Sequence, residues 1–239
     1  MISGHVNDES PQPIRLICQN CPNLLHLQLY SYGGDCGDEV IKYAVRYCRS
    51  IQSLPTDTWS YTNTAVKAIA TINTLTKLHL KRSARCSTVQ LVLISNLSLI
   101  DLSLSGPCIN DSLVSCIGKY CGNLTSLKLL RDEDATPLNE QIIQTLFIHC
   151  NQLKVLHLYF MSNKLSNTAL RILFQHCRYI TDLVFDARSP CIDEDIVLYD
   201  TYTTLTTFYH HFSGLSDAAL LYIFTYCTNL VKVDLYGVY

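Results

Sequence analysis

Twelve cysteines and eight histidines stand in this chain of 239 residues, and they are the first places to look for chemistry. Cys18-Gln-Asn-Cys21 has the spacing of half a tetrahedral zinc site, or of a redox disulfide. His149-Cys150 and His176-Cys177 set an imidazole beside a thiol, the raw material of a nucleophile–base pair. Each reading has a requirement. A zinc site needs a second ligand pair, and the chain holds no second Cys-x-x-Cys and no His-x-x-x-His. A Cys–His dyad needs facing side chains, whereas neighbours on a helix point about 100° apart. Tyr47, Tyr120 and Tyr226 fill the position of His149 and His176 before other cysteines, so a half-exposed ring at a helix end is the simpler reading. No Gly-x-Ser-x-Gly is present, and Gly33-Gly34 reads as a turn rather than a phosphate loop. Asp132-Glu133-Asp134 reads as a solvated loop.

The cysteines instead recur with a pattern, Cys-x-x-Leu-x-x-Leu-x-Leu. It occurs at "CPNLLHLQL" (21–29), "CGNLTSLKL" (121–129), "CNQLKVLHL" (150–158) and "CTNLVKVDL" (227–235). Looser copies bring the number to nine, anchored at 21, 48, 72, 96, 121, 150, 177, 202 and 227. A spacing of 24 to 29 residues, held nine times, is an internal repeat. Six anchors are Cys; Ile72, Asn96 and Tyr202 take the place in the others. A metal ligand or nucleophile is not expected once per repeat with such substitutes. A small apolar side chain with a weak S–H donor suits a helix end, where carbonyls lack helical partners; Asn96 would supply a stronger donor.

The elements that carry these residues follow from periodicity. Three and six positions after each anchor the residue is large and apolar, from Leu24 and Leu27 to Leu230 and Val233. The closing Leu-x-Leu alternates, as in a short strand with one face buried. Before the anchor, apolar residues fall at offsets of three, four and seven, one face of a helix. Asp38, Thr62, Asp111, Asn167 and Asp217 are placed to cap helix starts. On this pattern Cys18 and Cys21 lie together on one buried helical face, and their spacing is the helical turn. Each unit is a strand, a loop and a helix of about ten residues. Alone it cannot bury its apolar face; stacked, it can.

Residues Ile100–Gly106 ("IDLSLSG") running through Cys121–Leu124 ("CGNL") closely resemble the cysteine-containing leucine-rich repeat. So do "LSNTALRILFQHCRYITDLVF" and "LSDAALLYIFTYCTNLVKVDL". The resemblance covers residues 14–239 and implies an α/β leucine-rich-repeat solenoid, a horseshoe of about nine repeats with parallel strands concave and helices convex. Residues 1–13 read as a polar N-terminal tail. Proteins with similar repeats include F-box substrate receptors of cullin-type (SCF) ubiquitin ligases, so the resemblance implies a protein-interaction scaffold that recognises substrates for ubiquitin-dependent protein catabolism. Only 13 residues precede the first repeat helix, too few for a three-helix F-box. Ligase subunits would then attach through a missing or separate module.

In such a solenoid the partner-binding residues are the outward strand positions five, seven and nine after each anchor. The candidates are His26, Gln28 and Tyr30; Lys77, His79 and Lys81; Lys128; His157 and Tyr159; Asp182 and Asp186; Tyr209 and His211; Asp234 and Tyr236. Lys77 and Lys81, with Arg82 and Arg85, make a basic cluster. Asp182 and Asp186 make an acidic spot. Tyr30, Tyr159, Tyr209 and Tyr236, with Phe160 and Phe212, make an aromatic rim. Tyrosine offers large, rigid contact area with one hydrogen-bonding tip.

Composition narrows the remaining classes. Hydrophobic residues make up 48% and charged residues 16%, enough for a substantial core. A formal charge of −2 argues against a general nucleic-acid binder. No apolar run reaches the roughly 18 residues of a membrane span, and no secretory signal is seen at the start, so reduced cysteines and a cytoplasmic or nuclear location are expected. The expectation is a non-enzymatic protein binder without metal or cofactor. The alternatives are a stand-alone binding or regulatory protein with no ligase link, a small-ligand receptor at the aromatic rim, and a cysteine-dependent enzyme.

Overall fold

The computed structural model describes residues 2–5, 11–30, 37–54, 61–81, 85–131, 135–159, 166–186, 204–211 and 217–236. The chain packs as two compact units, Met1–Cys108 and Ile109–Tyr239.

In the first unit the elements are β1 (Ile2–His5), α1 (Gln12–Asn20), β2 (Leu27–Tyr30), α2 (Gly37–Tyr47), α3 (Asn63–Ile69), β3 (Lys77–Lys81), α4 (Cys86–Ser95) and β4 (Asp101–Ser105). β3 and β4 pair in parallel with Lys77 opposite Asp101. Ser53 alone bridges His26 on one side and Lys77 on the other. Pro55 and the rest of the strand positions of this repeat lie outside the described residues. Ile2–His5, read from sequence as part of a polar tail, pairs in parallel with β2, Ile2 opposite Leu27.

The second unit contains α5 (Asp111–Tyr120), β5 (Ser126–Leu130), α6 (Glu140–His149), β6 (Val155–Tyr159), α7 (Asn167–His176), β7 (Asp182–Asp186), β8 (Thr207–His211), α8 (Asp217–Tyr226) and β9 (Lys232–Tyr236). Its five strands pair in sequence order, all parallel, without a slip in register. Ser126, Val155, Asp182, Thr207 and Lys232 therefore form one row, and Lys128, His157, Val184, Tyr209 and Asp234 the next. The helix expected before Tyr202 lies outside the described residues.

The apolar lanes form the core. Leu75, Leu99, Leu124, Leu153, Ile180 and Leu205 are wholly buried, as are Leu102, Leu127, Leu156, Leu183 and Phe208. Successive helices pack side by side, α1 to α4 in the first unit and α5 to α7 in the second. The result is an α/β repeat of parallel strands backed by helices. Among the described residues no helix is long and apolar enough to cross a membrane.

Two polar devices tie several repeats to the one before within each unit. The first is the anchor. The thiol of Cys177 reaches the carbonyls of Phe147 (3.3 Å) and Cys150 (3.6 Å), and that of Cys150 the carbonyl of Cys121 (3.6 Å). Cys48 lies 3.9 Å and 3.8 Å from the carbonyls of Cys18 and Cys21. The sulfur thus serves the preceding repeat's helix end. Asn96 works in both directions: its Nδ2 donates to Val92 O in its own helix (2.9 Å), and its Oδ1 accepts from Leu75 N in the preceding repeat (3.1 Å).

The second device joins helix starts. Asp38, in the first turn of α2, accepts from Thr62 N (3.0 Å) and from the Thr62 hydroxyl; Thr62 in turn caps α3 by accepting from Ala65 N. Asp111 accepts from Asn139 N (2.8 Å), and Asn139 caps α6. Glu140 accepts from the Ser166 hydroxyl, and Ser166 caps α7. The caps of α5 and α7 are Asn110 and Ser166, one residue before the expected Asp111 and Asn167. An acid one place inside the helix is free to reach across to the next cap while still favouring the positive helix end.

Candidate functional site

The cysteines can be settled as chemistry first. The ten described cysteines are free thiols. Burial pushes the thiols of Cys18, Cys121, Cys150 and Cys177 up to about 12, which leaves them protonated and poor nucleophiles at neutral pH. Cys18 is buried as expected, but Cys21 is not: it is the C-cap of α1 and is exposed. In later repeats the anchor sulfur packs on the preceding helix end, and no described repeat precedes Cys21. Among the described residues no group of three His, Cys, Asp or Glu side chains could hold a metal ion.

The outward strand positions gather most clearly in the second unit. An open depression of about 360 Å³ lies over β6 to β9, lined by His157, Tyr159, Asp182, Val184, Tyr209 and Asp234. Its shape follows from the register. Val184 sits between His157 and Tyr209 in the middle row. A small side chain flanked by two rings leaves a hollow, and the rings cover the valine so that only 4% of it is exposed. Sequence position alone marks Val184 as an outward residue; its neighbours make it an apolar floor.

One wall is a His–Asp contact. His157 Nε2 lies 3.2 Å from Asp182 Oδ1, with both atoms sealed from solvent. The imidazole edge also meets the Tyr159 ring at 6.3 Å, the planes 86° apart. Burial lowers the His157 pKa below its ordinary 6.5; Asp182 pulls it back up and Lys128 pushes it further down, the net direction being downward. The ring is therefore neutral at pH 7. At the opposite wall the Lys232 ammonium lies over the Tyr209 ring, 4.9 Å from its centroid.

The same diagonal recurs. His79 Nε2 lies 3.2 Å from Asp101 Oδ2 across β3 and β4, as His157 meets Asp182 across β6 and β7 and Tyr209 meets Lys232 across β8 and β9. In each case the second outward residue of one strand leans onto the first outward residue of the next, within reach of long side chains.

Of the residues proposed from sequence, the second unit brings together His157, Tyr159, Asp182, Tyr209 and Asp234. Lys128 stands half-buried beside His157 in the middle row. Asp186, His211 and Tyr236 fall on the third row with Tyr159, but their side chains lie outside the described residues. In the first unit Lys77 and Lys81 are exposed, Gln28 is exposed and His26 is half-buried; the Tyr30 side chain lies outside the description. The basic cluster is tempered, because Asp101 stands directly opposite Lys77. Arg82, Phe160 and Phe212 also lie outside the described residues.

Sequence reasoning passed over Lys232 and Val184 as site residues. Both occupy outward positions, five after Cys227 and seven after Cys177, and aligning the repeats row by row sets them beside Tyr209. It also missed Arg131, which is 4% exposed and donates from Nε to the Ile109 carbonyl (3.0 Å) and from a terminal nitrogen to the Thr136 carbonyl. This residue ties the carbonyls of Ile109 and Thr136 together; an arginine just past a strand carries no distinguishing signal in sequence.

No sequence-family description and no curated protein matches the chain. Among solved structures, a chain in the crystal structure of the Rad7 and Elc1 complex in yeast is similar, with a TM-score of 0.52 and 15% identity over 99% of this chain and 76% of that one. At that identity the likeness is one of fold. It extends over nearly the whole sequence, in keeping with a repeated α/β architecture.

Proposed function

We propose that this protein is a non-enzymatic recognition scaffold that binds a protein partner across the outward face of its parallel strands. The observation that carries this reading is the depression over β6 to β9, where two tyrosines, a neutral histidine and two carboxylates surround an apolar floor. Such a mixture of rigid aromatic area and a few oriented polar groups is what protein interfaces concentrate at their centres. The recurring thiols of Cys121, Cys150 and Cys177 are protonated and packed into the core, so the reading gives them no catalytic role.

The finer reading makes the chain the substrate-recognition part of an SCF-type ubiquitin ligase, acting in the cytoplasm or nucleus. Its support is the resemblance of the cysteine-anchored repeats to those of F-box receptors, together with a fold likeness to a chain solved in a two-protein complex. Ligase subunits would join through another module.

Affinity capture with tagged wild type, Lys77→Glu/Lys81→Glu and Tyr159→Ala/Tyr209→Ala tests the scaffold reading. One or both variants should lose a partner that wild type retains, with thermal unfolding unchanged. Equal capture by all three would refute use of this face. Co-purification of a cullin or its adaptor with wild type tests the ligase link separately.

A further inference from the structure

We propose that the depression over β6 to β9 receives a basic side chain, lysine or arginine, from an extended segment of the partner; this rests on the scaffold reading above. The lining supplies what such a group needs and holds no cation of its own, the nearest ammonium groups being Lys128 and Lys232 at the rim. Asp182 and Asp234 bring two carboxylates, Tyr159 and Tyr209 two rings, and Val184 an apolar floor for a methylene stem. One Asp182 oxygen faces His157, and the carboxylate side chain stays about one third exposed (33%), so it has a surface to offer. The neutral His157 leaves the acidic charge uncancelled.

The molecule already shows the recognition in miniature. Lys232 lies on the rim with its ammonium over the Tyr209 ring, 4.9 Å from the centroid. A hydrogen bond to Tyr209 and its ionised form raise the Lys232 pKa first, and the Asp234 and Asp182 carboxylates add to it, so both acids of the hollow act on a cation at its rim. Lys232 is fully solvent-exposed and tethered to the outermost strand of the unit, so it can swing aside. It acts as an internal occupant that an incoming lysine or arginine would displace. An acidic segment is the competing occupant: it would seat on Lys128 and Lys232 at the rim and meet Asp182 and Asp234 in the hollow.

An array of twelve-residue peptides of unbiased composition, probed with the full chain, distinguishes these. Asp182→Asn/Asp234→Asn is isosteric, Tyr209→Leu removes the ring, and Lys232→Gln removes the internal occupant; circular dichroism and thermal unfolding confirm that each is folded. Peptides bound by wild type should be enriched in lysine or arginine. Binding should fall about tenfold in the double Asn variant, fall in Tyr209→Leu, rise in Lys232→Gln, and weaken with salt. Enrichment in aspartate and glutamate, with binding lost in Lys232→Gln, would overturn the proposal in favour of an acidic partner. Bound peptides indifferent to the double Asn variant would also overturn it, and if Lys77→Glu/Lys81→Glu abolishes them the scaffold reading survives. No bound peptide at all removes this proposal; combined with equal capture in the preceding experiment, it removes the scaffold reading too.

Discussion

Cys177 and Asn96 do the same work with different chemistry. Each ties its repeat to the one before, the Cys177 thiol as a weak donor to the Phe147 and Cys150 carbonyls, and the Asn96 amide by accepting from Leu75 N while donating to Val92 O in its own helix. Removing Asn96 leaves the Leu75 N–H buried without its acceptor, so Asn96→Ala should cost about 1–3 kcal/mol in urea unfolding. Asn96→Cys, the residue other repeats use at the anchor, should cost less, because a thiol can still donate to a carbonyl. Thiol labelling under native conditions should modify exposed Cys21 quickly, while Cys121, Cys150 and Cys177 react only after unfolding. Rapid native labelling of any of the three would contradict their burial. His157 sets a pH dependence. Its folded pKa lies below the unfolded value of about 6.5, so between the two the unfolded chain binds more protons and stability rises with pH. Wild type should lose stability as pH falls below about 6.5, and His157→Gln should flatten that slope. Basic-peptide binding should weaken over the same range, since an imidazolium would cancel charge in the hollow.

At the scale of elements, helices register against one another through their first turns. The link from Asp111 runs to the backbone N–H of Asn139, which Asn139→Ala keeps: Asp111→Ala should weaken the link between α5 and α6, Asn139→Ala should remove the α6 cap, and the double variant should cost about the sum of the two in urea unfolding. Gly118 sits inside α5 close to α6, where an added Cβ would lie 3.5 Å from Leu146 Cα, an ordinary contact. Since glycine is a poor helix residue, Gly118→Ala should stabilise by about 0.5–1 kcal/mol in chemical denaturation. Apart from β1, which read as polar tail, the described helices and strands were legible in the sequence, because apolar residues at offsets of three, four and seven, and then in alternation, admit few other readings. The caps were legible only to within a residue. Asp111 and Asn110 are adjacent and both suit a helix start, and the choice turns on which side chain the next helix claims.

In the whole molecule each repeat leans on its sequence neighbours. Leu156→Ala, at a wholly buried position in the second unit, should cost about 2–5 kcal/mol. Native-state hydrogen exchange should show protection lost first around β5 to β7, because each stacked repeat is stabilised mainly by those beside it. The core lanes open at the last strand. Val233 and Leu235 are 41% and 37% exposed, where the matching Leu183 and Phe185 of β7 are buried. The amino-acid sequence by itself determined the repeat, its period, the burial of its leucines and the structural character of its recurring cysteines. These follow from local periodicity and from the physics of stacking identical faces. It could not decide which outward residues meet. That His157 rests on Asp182, that Lys232 lies over Tyr209 and that Val184 becomes the floor of a hollow depends on the register between strands roughly 25 residues apart. Register is a tertiary property: pairing without slip brings side chains from four repeats into one row, and only then do two rings and two carboxylates share a site.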